Sequence, residues 1–144
     1  IIIDIDDPAG EENYYRIEIS ELFGFVESPG DAIFSEWPRD LETNDPNLYS
    51  GGNSSMVISD GPFNGRRYRI RVFTYPLEED EQSISRYRVR VFQISRDAFL
   101  YERTLYQFNE ARGNPFAAPV TVHSNIRGGY GIFHMGNGVT RELF

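Results

Sequence analysis

Two stretches of the chain, YRIRVF at 68–73 and YRVRVF at 87–92, set arginines on alternate residues nineteen positions apart. Alternation puts Arg69 with Arg71, and Arg88 with Arg90, on one face of an extended strand. Guanidinium forks bind carboxylate and phosphate through two parallel hydrogen bonds, so such a face is a candidate site for an anionic ligand or an acidic partner loop. Paired as a hairpin around the loop at 76–85, which opens with the acidic run at 76–81, the stretches place Arg71 opposite Arg90, Phe73 opposite Arg88 and Arg69 opposite Phe92. The other face becomes an aliphatic ladder, Ile70 with Val91 and Val72 with Val89, and a one-residue slip would scramble both faces. The candidate ligand-binding residues are Arg69, Arg71, Arg88, Arg90, Phe73 and Phe92. A structural role stays open beside the functional one, because directly opposed like charges destabilise a sheet. A carboxylate from a neighbouring strand, Glu18 first, would then neutralise Arg71 and Arg90 while the guanidinium groups lie on the rings.

Oxygen-bearing side chains recur at Asp40, Glu42, Asn44, Asp45 and Asn47, and alternating oxygen donors are what calcium takes. The stretch lacks the glycine and the distal glutamate of an EF-hand, which leaves a looser calcium site or a solvated acidic turn. His123 and His134 each read as a satisfied histidine in or beside a strand rather than as a base or metal ligand. No Gly-x-Ser-x-Gly elbow is present, and GGYG at 128–131 reads as a turn. No residue is given a catalytic role and no cofactor is implied.

The elements that must position these residues are mostly strands. Aromatic residues make up 15% of the chain, amid frequent Gly, Pro, Asn and Asp. Residues 14–19 alternate with period two, and short strands are expected at 32–34, 56–59, 120–122 and 130–133. One helix is expected over 95–110, with Ser95 as its cap and Asp97 in its first turn. Ala98, Tyr101, Leu105 and Phe108 would form its apolar stripe, and Gly113 and Pro115 would end it. Residues 26–55 are the least regular, and Asn53-Ser54-Ser55 fits a glycosylation sequon.

A length of 144 residues suits one domain, expected over 1–144. With no cysteine, disulfides and thiolate chemistry are excluded. No apolar run approaches the ~20 residues of a membrane span. The net charge of −8 argues against nucleic acid as a partner. All 14 basic side chains are arginine, which fits codon bias or adaptation to salt or heat. The opening run IIIDI reads as the tail of a strand arriving from a preceding domain.

Four blocks then carry a resemblance: DPAGEENYYRI at 7–17, NDP at 44–46, FNG at 63–65 ahead of Tyr68, and NPFAAPV at 114–120 running into SNI at 124–126 and GYGIF at 129–133. Together they resemble the C-terminal domain of the family catalogued as domain of unknown function 4249. The resemblance implies a lipid-anchored outer-membrane protein at the cell surface, associated with a TonB-dependent transporter and an unknown nutrient ligand. It implies contact with the membrane only through an anchor outside this chain. Residues 134–144 run past the point where such domains often stop, and a further edge strand accounts for them.

The expected fold is all-β: an antiparallel sandwich or partly open barrel of about seven to nine strands with one packed helix. The expected function is a non-catalytic binding or assembly module in outer-membrane nutrient uptake. The alternative is a surface hydrolase acting on glycan or peptide through carboxylates of the 26–55 region.

Overall fold

The computed structural model describes residues 1–26, 32–52, 54–75 and 83–143. The acidic loop at 76–81 and the sequon residue Asn53 lie outside the described residues. Among the described residues, eight strands and one helix follow in order: β1 (Ile2–Asp6), β2 (Tyr14–Val26), β3 (Ala32–Pro38), β4 (Tyr49–Gly52), β5 (Ser55–Ser59), β6 (Arg67–Arg71), β7 (Ser83–Ile94), α1 (Arg96–Ala111) and β8 (Asn137–Leu143). All strand pairs are antiparallel. β1 and β6 form a two-stranded sheet; β4, β5, β2, β7 and β8 form a larger one, in that order, with β3 also paired to β2. The fold is an all-β sandwich with one helix.

Period-two patterning builds the layers. In β1, Ile3 and Ile5 are buried while Ile2, Asp4 and Asp6 are exposed. These isoleucines, with Ile70 and Val72, pack against Tyr15, Ile17, Ile19, Met56, Ile58 and Val89 of the larger sheet. That is the inter-sheet core. Glu21 is also fully buried, and Arg39 lies 3.4 Å from its carboxylate; a buried charge of this kind needs its counter-ion. The opposite face of the larger sheet carries the helix, through Val57, Ile94, Ala98 and Phe99.

The helix starts where expected: the Ser95 hydroxyl accepts the Ala98 N–H at 3.2 Å. It ends before Gly113, whose φ of +86° is the left-handed conformation glycine adopts freely. The anticipated stripe is corrected. Ala98 and Phe99 are the buried residues, Tyr101 and Leu105 are half-buried, and Phe108 is 42% exposed. The Phe99 ring sits 5.0 Å from that of Tyr14 and 6.3 Å from that of Tyr49. The contact is thus made by the first turn, and the last turns carry Phe108 clear of the core.

Two expected strands are absent. Residues 120–122 and 130–133 are irregular, and the closing strand is β8, the edge strand anticipated beyond residue 133. Asn125 explains part of this: its side chain accepts the Phe133 N–H at 2.9 Å and donates to the Phe133 carbonyl at 2.8 Å. A side-chain amide thereby takes the place of a strand partner.

Candidate functional site

The two arginine stretches do not form a hairpin. β6 pairs with β1, setting Arg69 opposite Asp4 and Arg71 opposite Ile2. β7 pairs with β2 and β8, so Arg90 faces Glu18 on one side and Thr140 on the other. Long-range pairing has overridden the local choice: β2 and β7 together share a twelve-residue register, far longer than the two six-residue stretches offer.

Most of the candidate arginines are neutralised. Arg69 makes two bonds to Asp4, at 2.8 and 2.9 Å, and these hold the Asp4 carboxyl below its ordinary range. Arg88 bridges Glu36 at 2.5 Å and Glu142 at 2.7 Å, and Arg90 reaches Glu36 at 2.6 Å. Glu18 instead lies 3.2 Å from Arg16. A structural role through neighbouring carboxylates is therefore present, supplied by other residues than Glu18. Phe92 is covered as well. The Arg16 guanidinium lies 5.1 Å from its ring centroid, and Gly138 lies so close on the adjacent strand that a Cβ there would fall 2.5 Å from Cδ1.

Arg71 and Phe73 have a different setting. Beyond β6 the chain stays extended, and Glu42 meets it: the Glu42 N–H donates to Phe73 O at 2.9 Å and the Phe73 N–H to Glu42 O at 2.8 Å. The Thr43 hydroxyl donates to the Arg71 carbonyl at 2.9 Å. Half of the arginine set and the acidic stretch, read from the sequence as separate candidates, thus meet at one place.

Asp45 fixes the loop that approaches. It accepts the Asn47 N–H at 2.9 Å through Oδ1 and the Tyr68 hydroxyl at 2.7 Å through Oδ2. Tyr68 in turn stacks on Phe63, ring centroids 4.3 Å apart. Burial, and then the bond to Asp45, raise the Tyr68 hydroxyl above its ordinary pKa. Glu42 accepts the Tyr75 hydroxyl at 3.3 Å. Of the carboxylates proposed for calcium, Glu42 and Asp45 are engaged with tyrosines, Asp40 lines neither of the hollows described next, and no group of three His, Asp or Glu side chains is placed to hold a metal ion among the described residues.

Two hollows open on either side of Asn44, Asp45 and Phe73. The larger, about 710 Å³, has a floor of Leu41, Leu48 and Met56. Phe73, Tyr75 and Tyr106 form its aromatic walls, and Glu42, Thr43 and Thr74 add polar groups. The Thr74 hydroxyl is buried with no hydrogen-bond partner among the described residues. The smaller hollow, about 500 Å³, is lined by Pro46, Asn47, Tyr68, Arg69 and Arg71. Among the described residues the Arg71 guanidinium makes no ion pair, while that of Arg69 is held by Asp4. Both volumes fall within the roughly 300–1,000 Å³ usual for small-molecule sites. Tyr75, Thr74 and Tyr106 were not among the sequence candidates. Tyr75 had a signal, standing two residues after Phe73 on the same side of an extended segment; Tyr106 had none beyond its place on the helix.

The histidines sit in loops, not in a sheet. His123 Nε2 lies 3.0 Å from Asp97 Oδ1, and the His123 backbone N–H donates to the Thr104 hydroxyl at 2.8 Å. His134 Nδ1 is buried without a partner among the described residues. Glu102, on the face of α1 towards the sheet, has its pKa raised by burial despite Arg16 at 3.2 Å and the Ser55 hydroxyl at 3.3 Å.

A family model described as domain of unknown function (DUF4249) matches residues 1–142, and the chain belongs to that family. No curated protein and no solved structure matches it.

Proposed function

We propose, taking that family membership as the premise, that the chain is a non-catalytic binding module of a cell-surface lipoprotein serving outer-membrane nutrient uptake, with its ligand seat in the cleft around Phe73. The observation that carries this reading is the pinned, exposed aromatic pair. Phe73 and Tyr75 stand open to solvent on a backbone that Glu42 holds by two hydrogen bonds, beside a hollow with an apolar floor and polar walls. Rings held in place before a ligand arrives lose little freedom on binding, which favours affinity. Arg71 next door, whose guanidinium makes no ion pair among the described residues, gives an anionic group of the ligand a partner. The lipid anchor and the TonB-dependent transporter partner belong to this proposal through the family resemblance.

The engagement of Glu42 and Asp45 by tyrosine hydroxyls supports a seat over a hydrolytic carboxylate pair. The test is a thermal-shift screen of neutral oligosaccharides, short peptides and small organic anions against the parent and Phe73→Ala. A ligand that raises the melting temperature of the parent but not of Phe73→Ala is the expected result. A ligand that stabilises both equally would remove the seat from this cleft. Turnover of a glycan or peptide, lost in Glu42→Gln, would replace binding by hydrolysis.

A further inference from the structure

The segment 112–136 is irregular, yet it is not loose. Asn125 clamps Phe133 by two bonds, and the Ser124 hydroxyl accepts the Ile126 N–H at 3.2 Å and donates to the Gly129 carbonyl at 3.4 Å. Gly128 and Gly131 take φ of +76° and +129°, and Ile126 packs beneath Gly129 and Gly131. His123 ties the segment to α1 through Asp97 and Thr104. On this ordered backbone the large side chains point away from the protein. Phe116 is 95% exposed, Tyr130 97%, Phe133 78% and Met135 82%. Folding normally leaves such rings at least partly covered, and several so exposed on one ordered segment mark a surface that something else covers.

Charge says what. Of 22 acidic residues in the chain, none lies between 111 and 141, while Arg112, Arg127 and Arg141 do, all exposed. A chain of net charge −8 thus presents its most exposed rings on a segment whose only formal charges are positive. Tyrosine and phenylalanine rings, flanked by arginines whose stems are apolar, suit the boundary between lipid headgroups and acyl chains. Carboxylates would be costly there and are missing. A bilayer also demands no matching shape, so separate protruding rings suffice, whereas a protein partner would need a pocket for each.

We infer that the segment 112–136 is a membrane-contact loop that seats Phe116, Tyr130 and Phe133 in the headgroup region of an anionic phospholipid surface. It adds a second attachment to the one the proposed function assumes, and it is independent of the ligand cleft. The overall negative charge does not prevent it. At physiological salt charges are screened over about 8 Å, so the surface senses the nearest face rather than the whole protein.

The experiment uses the chain without any anchor, cosedimented with vesicles of phosphatidylcholine, alone or mixed with phosphatidylglycerol. Binding to both is expected, stronger on the mixed vesicles, with that preference lost in ~0.5 M salt. Replacing two of the exposed rings, Tyr130→Ser with Phe133→Ser, should lower the vesicle partition coefficient about tenfold or more. Arg112→Gln with Arg127→Gln should remove the preference for phosphatidylglycerol and keep the binding to phosphatidylcholine. Phe116→Ser, at an almost fully exposed position, gives a variant that folds as the parent does and must also weaken binding. Phe73→Ala should bind vesicles as the parent does, which separates this result from that of the cleft. Failure to bind either vesicle, weaker binding to the anionic one, or indifference to the ring substitutions would overturn the inference; the first of these would assign the surface to a protein partner.

Discussion

Glu36 Oε1 lies 2.6 Å from Arg90 Nη2, although their strands never pair: β2 runs between them, and its Ser20 hydroxyl accepts from Arg90 Nη1 at 3.4 Å. The same carboxylate holds Arg88 with its second oxygen. Three strands are therefore tied across one face by a single side chain.

Burial alone would raise the Glu36 pKa, but the bonds from Ser20 and Arg90 and the charges of Arg90 and Arg88 outweigh it and hold the carboxyl below its ordinary range. The folded pKa being the lower one, its contribution to stability is present above the unfolded value of about 4.5 and is lost as pH falls through the folded value. Glu36→Gln should cost about 1 kcal/mol at neutral pH, and the difference from the parent should disappear in acid. Glu18→Gln should cost less than about half of that, because Arg16 keeps Glu102. Urea melts at pH 7 and pH 3 measure both; equal losses would contradict the assignment.

Phe99 anchors the helix and Phe108 does not. Phe99→Ala should destabilise by about 3–5 kcal/mol. Phe108→Ala should stay under about 1 kcal/mol. Denaturant midpoints of the two variants decide it.

Gly65 has φ of +71°, and a Cβ there would lie 2.7 Å from the Ala9 Cβ. Its N–H also donates to Asp7 at 2.9 Å, and Asp7 accepts the Tyr15 hydroxyl at 2.5 Å. Gly65→Ala combines strain with a clash and should cost about 2 kcal/mol or more, seen as a fall in melting temperature.

Tyr68→Phe removes the hydroxyl that Asp45 accepts and should cost about 1–2 kcal/mol. It should also weaken any ligand of the cleft, since the loop at 41–48 loses its brace. Calorimetry with a ligand from the thermal-shift screen would show the second effect.

Calcium should not alter the melting temperature relative to a chelator, because Asp45 and Glu42 already accept tyrosine hydroxyls. A rise with calcium would show that these bonds yield to a metal.

The strand at residues 14–19, within β2, was legible from its alternation, and the opening run that became β1 also read as a strand. So was Ser95, whose capping role depends on neighbours three residues away. The hairpin was not, because YRIRVF and YRVRVF are equally consistent with pairing to each other or to distant strands. Only the competition with IIDID for β6, and with the long β2 for β7, settles which partner wins. The arginine partners followed the same rule. Glu36 lies fifty-four residues from Arg90, and nothing local to either announces the pair. The cleft was half legible: its residues were singled out, but their meeting depends on the Glu42–Phe73 bridge, which is a tertiary event. The strands expected at 120–122 and 130–133 did not form, and at Phe133 a side chain, Asn125, satisfies the backbone where a strand partner would.

β2 bonds to β7 along one edge and to β5 and then β3 along the other, with Ile17 and Ile19 buried beneath it. It is flanked on both edges, and losing either neighbour would uncover half of its amides and the core beneath. In deuterated solvent the central amides of β2 should therefore exchange only when the whole molecule unfolds, giving a direct readout of global stability. β8, paired on one side and exposed along its length, should fray and exchange orders of magnitude sooner. The time course of labelling would then rank the sheet from its last strand inward, with β2 as the slowest clock in the protein.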